Sequence, residues 1–280
     1  MKFANLHLHS TYSDAGFTPE QLILIGKALG YGALALTDHE TDAGCKEFKK
    51  AADLEGIKTL HGTEFTGTID GNVPHLTALD FDPNNATIRA FIDERVRQEN
   101  DWCRKVVERG LNLGFIEGIT WDDVVYYSGE GAWLCADSIF LALQLKKAVP
   151  EQGLEWVRAK LFRDPEIRAA HPKNVPAEEV IKAVRAADGI VALAHPSPNF
   201  TDYIGKLVDM GLNGIETDHP EIAPDTVPLA VEAAKTFNLY HSGGTDHTGP
   251  MSCCGGEYAI PVFNGITEEQ YQAIVDRKLG

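Results

Sequence analysis

Residues 3–14 read FANLHLHSTYSD, and the meaning of the whole chain turns on this run. Phe3 to His9 has the pattern of a β-strand. Side chains two apart on a strand point to the same side. His7 and His9 thus aim two imidazoles at one point, and Asp14 adds a carboxylate a little further on. Neutral imidazole and carboxylate suit zinc, manganese and iron ions.

Outward from this run, strand and helix alternate. Thr18 to Gln21 opens a helix, with Thr18 as N-cap, Pro19 in the first turn and Gln21 as capping-box partner. ALALTDH (33–39) is the next strand, followed by a helix from Asp42 to Glu55 that stops at Gly56. IKTLHGTEF (57–65) is a strand; after a turn at Asp70-Gly71 comes another, VPHLTALDF (73–81). A long helix follows, from Ala86 to Arg109. From 112 to 173 the character is helical throughout, with starts near Thr120, Asp137 and Glu151. Alternation returns at 177–187 (helix), GIVALAHP (189–196), 200–210 (helix), GIETDH (214–219), 225–237 (helix) and LYHSGGTDH (239–247). A strand from Tyr258 to Phe263 and a last helix close the chain. Such alternation predicts an α/β fold whose parallel sheet curls into a barrel. The segments are 1–110 and 176–280 for the barrel and 111–175 for a helical insertion.

Composition narrows the function. With 44% hydrophobic residues among 280, a full core can be buried. A net charge of −16 argues against DNA or RNA polymers as partners. It allows a small phosphorylated substrate, because bound divalent ions reverse the local sign. There is no signal-peptide pattern and no apolar run near the roughly 20 residues of a spanning helix. Five cysteines (Cys45, Cys103, Cys135, Cys253, Cys254) at irregular spacing predict no disulfide framework and a reducing, cytoplasmic setting. Cys45 and Cys103 are expected in the core, and adjacent Cys253-Cys254 lack ligand spacing.

His7 and His9, Asp38-His39, Glu64, His75, His195, Glu216 and His219, and Asp246-His247 all fall at strand ends. In a β/α barrel those ends form one mouth. So many donors exceed the needs of one tetrahedral ion and suffice for two or three. His61, His171 and His241 read as structural. Glu216 reads as a carboxylate orienting a histidine. Trp102, Trp121, Trp133 and Trp156 read as a small core within the insertion.

The motifs HLHSTYSD (7–14), TDH (37–39), GTE (62–64), PHLTAL (74–79), AHP (194–196) and GTDH (244–247) occur in this order. In them the chain resembles the PHP (polymerase and histidinol phosphatase) family of metal-dependent phosphoesterases, relatives of the amidohydrolases. The resemblance implies a distorted (β/α)7, TIM-barrel-like fold with a helical cap. It implies one ion held by His7, His9, Glu64 and Asp246, a second sharing Glu64 with His75 and His195, and a third on Asp14, His39 and His247. Manganese is the expected metal, with zinc or iron as alternatives. The implied reaction is hydrolysis of a small sugar or nucleotide phosphate, a hydroxide bridging two ions attacking phosphorus. Asp246, His219 and His247 are the catalytic candidates, with His219 or His247 protonating the leaving oxygen. Arg163, Arg168 and Lys173, beside His171, are candidates for a second substrate phosphate.

There are two departures from the pattern. Asp246 and His247 are adjacent where the family commonly has Asp-x-His, and Ala136-Asp137-Ser138 stands where relatives in this branch often carry Arg-Pro-His. The second departure brings forward an alternative substrate, a cyclic phosphodiester such as a phosphoribosyl cyclic phosphate, opened and then hydrolysed as a monoester. Further alternatives are a C–N hydrolase, for which a strand-end lysine is wanting, and an idle metal-binding module of a polymerase. Oligomeric state is not legible.

Overall fold

The structure, a computed structural model, describes residues 2–246 and 263–278. Strands β1 (Ala4–Asn5), β2 (Ala33–Ala35) and β3 (Lys58–Leu60) form a three-stranded parallel sheet. Helix α1 (Pro19–Ala28) begins with the expected reciprocal cap between Thr18 and Gln21. It packs with α2 (Cys45–Glu55) on this sheet through Leu22, Ile23, Leu34, Leu36 and Phe48.

The second sheet has six strands in the order β6-β4-β5-β7-β8-β9. These are β4 (Gly62–Thr68), β5 (His75–Leu79), β6 (Val175–Pro176), β7 (Ile190–Leu193), β8 (Gly214–Asp218) and β9 (Tyr240–Gly243). The expected all-parallel arrangement is corrected here: β5 runs antiparallel to both β4 and β7. The cause is local. Asp70 and Gly71 both adopt positive φ (49° and 80°) between the paired Ile69 and Asn72. A two-residue turn of this kind reverses the chain into a hairpin. The single strand expected over 57–65 is also split, β3 going to one sheet and β4 to the other.

The β1 ladder is shorter than the sequence suggests, and His7 and His9 lie beyond it. Backbone hydrogen bonds nonetheless hold the run extended between its neighbours. Leu6 N–H donates to Gly243 (3.0 Å), Thr37 N–H to Leu8 (2.8 Å) and Asp246 N–H to His7 (3.0 Å). On the other side, Glu64 N–H donates to Asp38 (3.1 Å) and Glu40 N–H to Glu64 (2.8 Å). The strand ends that carry the candidate ligands are thereby stitched together across the two sheets.

Helix α3 (Ala86–Asn112) spans two regions. Its first half, with Ile88 and Ile92, packs on the six-stranded sheet. Its second half shares a separate apolar cluster with α4 (Trp121–Ser128), α5 (Ala136–Leu145), α6 (Leu154–Leu161) and α7 (Pro165–Ala169). Trp102, Trp121 and Trp156 pack against that cluster; Trp133 does not, contrary to expectation. Helices α8 (Ala177–Ala186), α9 (Ile204–Asp209) and α10 (Val227–Thr236) complete the cover of the second sheet. Before α9, residues 198–202 form a 3₁₀ turn rather than the start of a longer helix. Helix α11 (Glu268–Val275) packs Tyr271 and Ile274 against Ala4, Leu6 and Ala33. Cys45 and Cys103 are buried as expected. Cys253, Cys254 and most of the expected strand at 258–263 lie outside the described residues.

Arg95 of α3 is buried between two acids. Its Nε donates to Glu40 (3.0 Å) and its Nη2 to Glu99 (3.2 Å), while Glu40 also accepts from Thr66 N–H (2.8 Å). Burial pushes both carboxyls up, and the Arg95 charge opposes this. An Arg95→Met variant strands two buried carboxylates and is expected to lose about 3–5 kcal/mol of stability. Urea denaturation measures this; a loss under 1 kcal/mol would mean that the acids find other partners.

Candidate metal centre

Glu64, on β4, is fully buried, and imidazoles surround it. Its Oε2 lies 3.2 Å from His7 Nε2, 3.3 Å from His9 Nε2 and 3.2 Å from His39 Nδ1. Its Oε1 lies 3.3 Å from both His75 Nδ1 and His195 Nε2. One carboxylate thus divides its two oxygens between two sets of histidines. Asp246 Oδ1 closes the first set, 2.9 Å from His9 Nε2 and 3.6 Å from His7 Nε2. Asp14 lies on the far side, 3.5 Å from His9 Nδ1 and 3.6 Å from His39 Nε2.

These donors fit cations. Ligands about 2.0–2.2 Å from a shared ion stand roughly 3–3.5 Å from one another. His7 and His9 present their Nε2 atoms 3.1 Å apart, a spacing that one shared proton or one shared cation can bridge. Glu64 Oε2 and His75 Nδ1 are buried and make no hydrogen bond. The side chains converge in groups of three or more whose donor atoms could hold an ion, and hydrogen bonds such as that of His195 Nε2 to Glu64 Oε1 (3.3 Å) also run among them.

A layer of buried polar groups aims these candidate ligands. Glu216 Oε1 accepts from His7 Nδ1 (2.8 Å), which leaves the His7 Nε2 lone pair facing Glu64. Glu216 Oε2 accepts from the backbone N–H of His195 (2.7 Å). That bond holds His195 at φ 25°, where non-glycine residues are uncommon. Asp38 accepts from Ser10 N–H (2.7 Å), Ser10 Oγ (2.7 Å) and Ser13 Oγ (2.6 Å), ordering the loop that carries His9 and Asp14. His219 differs from the rest. Its Nδ1 accepts from Glu221 N–H (3.1 Å), so the neutral ring carries its proton on Nε2, which faces Asp246 Oδ2 at 3.6 Å.

Electrostatics follow from this packing. Burial alone would push His7 down, but the charges of Glu64, Glu216 and Asp246 outweigh it and hold the ring well above its ordinary value. His9 is likewise raised against burial, by Asp14, Asp246 and Glu64. His195 is raised against burial to about 9 by Glu64 and Asp246. His39 goes the other way, to about 4, because burial and the neighbouring His9 and His75 exceed the pull of Asp14 and Glu64. The acids answer in kind. Burial pushes Glu64 and Asp246 up, yet the histidines hold both well below the carboxylate range.

A protonated imidazole has no lone pair to give, so His7, His9 and His195 must each lose a proton before they can bind an ion. Manganese binding is therefore expected to release protons, and affinity to climb about tenfold per pH unit for each one released, up through about pH 9. Calorimetry in two buffers of different protonation heat measures the release; identical heats would refute it. The metal-free protein has the opposite dependence. Raised histidine values stabilise it fully below about pH 6.5, and that contribution is lost as pH rises through the folded values.

Of the residues singled out from the sequence, His7, His9, Asp14, His39, Glu64, His75, His195, His219 and Asp246 come together here. His247 lies outside the described residues. Arg163, Arg168 and Lys173 are exposed, and no contact joins them to this cluster among the described residues. His61 pairs with Asp42 (2.8 Å) and His241 with Thr217 (3.1 Å). His171 lies edge-on to Trp102. The orienting role of Asp38 and the places of Trp133 and Arg158 were not anticipated. Asp38 and its serines act across 25–28 positions of sequence, which leaves no local signal. Trp133 was grouped with the other tryptophans. Arg158 of α6 was passed over, although its Nε and Nη2 are buried without hydrogen bonds and its charge acts on Asp137.

Residues 5–122 match the PHP domain family. Over 257 residues the chain is 35% identical to the 3′,5′-nucleoside bisphosphate phosphatase of Chromobacterium violaceum, covering 88% of this chain and 87% of that one. It is 25% identical over 252 residues to the phosphoribosyl 1,2-cyclic phosphate 1,2-diphosphodiesterase of Eggerthella lenta (88% and 94% covered). It is 28% identical over 257 residues to a 5′-3′ exoribonuclease of Haemophilus influenzae, with 90% of each chain covered. A crystal structure named as a metal-dependent phosphoesterase from Bifidobacterium adolescentis superposes with a TM-score of 0.80 at 26% identity, over 100% of this chain and 97% of that one. With its divided glutamate, its converging histidines and these relatives, the chain belongs to the PHP domain family of metal-dependent phosphoester hydrolases.

Proposed function

We propose that the chain hydrolyses the phosphoester of a small sugar or nucleoside phosphate at the Glu64 cluster. The observation that carries this reading is the division of Glu64, with Oε2 turned to His7, His9 and His39 and Oε1 to His75 and His195. On this reading one divalent ion belongs to His7, His9, Glu64 and Asp246, and a second to Glu64, His75 and His195. A third belongs to Asp14 and His39, with His247 as its remaining candidate. Manganese is the metal the family resemblance implies, with zinc and iron as alternatives; imidazole and carboxylate together leave all three open. The two stitched sheets are taken as sectors of one distorted (β/α)7 barrel, and residues 111–175 as its cap.

Bound divalent ions lower the pKa of water and neutralise charge on a phosphoryl group. The chain's own residues do the rest. Glu216 fixes the His7 ring and the His195 backbone, and Asp38 fixes the loop of His9 and Asp14. His219 holds a proton on Nε2 beside Asp246, where it can pass to the leaving oxygen. Arg163, Arg168 and Lys173 are available, on the insertion and at its return, to a second substrate phosphate. The bridging position belongs to a glutamate, which favours phosphoester over C–N hydrolysis.

The absence of Arg-Pro-His favours a cyclic phosphate, in line with the Eggerthella lenta relative. The bisphosphate phosphatase of Chromobacterium violaceum favours a nucleoside bisphosphate. The Haemophilus influenzae relative supports a second reading, removal of single nucleotides from an RNA 5′ end. The net charge of −16 speaks against a long basic track and does not reach that case. The test is manganese-loaded protein against phosphoribosyl 1,2-cyclic phosphate, adenosine 3′,5′-bisphosphate, ribose 5-phosphate and a 5′-phosphorylated RNA oligomer, with a chelated control. Release of phosphate or nucleotide from none of them would sink the reading.

A further inference from the structure

We infer that Ser197 is a specificity-determining residue of this site: in a small neutral cavity beside His75 and His195, its hydroxyl oxygen accepts a hydrogen bond from a sugar hydroxyl of the substrate. The inference rests on the phosphoester reading and deepens it, because it selects sugar phosphates over nucleoside bisphosphates.

The histidines around Glu64 are not equally shut in. His7 and His9 are fully buried, whereas the side chains of His75 and His195 are 31% and 18% exposed. Among the described residues, these histidines are thus most open on the side of Glu64 Oε1. A cavity of about 130 Å³ lies there, bordered by His75, His195, Asn72, Ser197, Tyr203 and Leu193 among others. A phosphoryl group held at His75 and His195 has this space beside it for its organic part.

Size and charge restrict the occupant. One water takes roughly 30 Å³ in the liquid, so the space equals about four waters. Pockets for drug-sized ligands run to roughly 300–1,000 Å³. A few hydroxylated carbons fit, and a nucleoside does not. No Lys, Arg, Asp or Glu lines the cavity among the described residues. A second phosphate would enter it without a cationic side chain to pair with, which is costly.

The polar wall is preset to accept. Ser197 Oγ donates its only hydrogen to Asn199 Oδ1 (2.7 Å), and Asn199 Nδ2 donates to Asn72 Oδ1 (2.9 Å). This chain ties the loop after β7 to the β4–β5 hairpin, and both of its ends line the cavity. Phe200 N–H donates to Ser197 O (2.9 Å), which fixes the backbone of the serine. Burial pushes the Tyr203 hydroxyl up, against a hydrogen bond with Ser197, so it stays a neutral donor to that oxygen. A serine oxygen has two lone pairs, and one is left for a ligand. A sugar hydroxyl can donate to it. An ionised phosphate oxygen only accepts and is turned away.

The experiment uses manganese-loaded wild type and Ser197→Ala. Ribose 5-phosphate and n-pentyl phosphate, which has five carbons and no hydroxyl, form the substrate pair, with adenosine 3′,5′-bisphosphate as the competitor class. A site that hydrogen-bonds a substrate hydroxyl rejects the analogue lacking it. We expect the wild type to prefer ribose 5-phosphate by kcat/KM over both other substrates. In Ser197→Ala the preference over n-pentyl phosphate is expected to fall roughly 3- to 10-fold, the worth of one hydrogen bond. Metal content and melting temperature should hold, since Ser197 is exposed at the rim. The ratio between two substrates does not move if the serine is merely structural. An unchanged ratio in Ser197→Ala, a wild type indifferent to the hydroxyls, or a wild type that prefers the bisphosphate would each overturn the inference while the hydrolase stands. If the wild type cleaves none of the three, the sugar or nucleoside phosphate reading fails and takes the inference with it.

Discussion

A Glu64→Gln variant is expected to lose both its bound metal and its activity, the latter by roughly a thousandfold or more. The amide keeps the size of the side chain and removes the negative charge that two sets of histidines share. It also turns an NH₂ group toward imidazole nitrogens that need an acceptor or a cation. Without ions, the pKa of water returns from near 7 to far above neutrality, and the attacking species becomes scarce. Elemental analysis and phosphate release read the two losses separately. Full metal content with lost activity would make Glu64 something other than a shared ligand. Retained activity would remove it from the site altogether.

The second large effect belongs to a residue expected to touch no ion. Glu216 accepts from His7 Nδ1 with one oxygen and from His195 N–H with the other. A Glu216→Gln variant can accept only one of these bonds, and its NH₂ group must face the remaining donor. His7 loses the partner that fixes its tautomer, or His195 loses the bond that holds its positive φ. Losing such an orienting partner costs 10- to about 100-fold in metal affinity or activity. We expect that loss with the fold intact, seen by manganese titration and by circular dichroism. An affinity within twofold of wild type would reduce Glu216 to a buried structural acid.

Much of this site could be read from the chain because its geometry is local or periodic. Strand parity aims His7 and His9 together, and the reading survives even though the β1 ladder stops at Asn5. The other candidate ligands were placed at strand ends; the structure puts Glu64 inside β4 and His75 at the start of β5 and still brings them together. Glu216 was read as an orienting carboxylate, and it accepts from His7 Nδ1 and from His195 N–H. The direction of β5 was misjudged although its signal was present. Asp70-Gly71 is a hairpin dipeptide and forces reversal, but the alternation of strands and helices was given more weight. The exposed Arg163, Arg168 and Lys173 were chosen for charge alone, and charge says nothing of which way a side chain faces. Trp133 was misassigned because composition cannot separate one indole from three others. What distinguishes it is a set of backbone bonds to Tyr12, Thr41 and Asn100, all distant in sequence.

The bond between His7 and Glu216 joins residues 209 positions apart, and the bond from Asp246 N–H to His7 O closes a longer span still. On a ribosome, the imidazoles of His7 and His9 emerge long before the groups that aim them. Throughout most of synthesis they are imidazoles on an unfinished polypeptide, free to meet any divalent cation that accepts a ring nitrogen. Selection of the right ion must therefore come late, after β8 and β9 have been made. Stalled nascent chains cut on either side of Asp246 would reveal that order as a sharp gain in manganese retention.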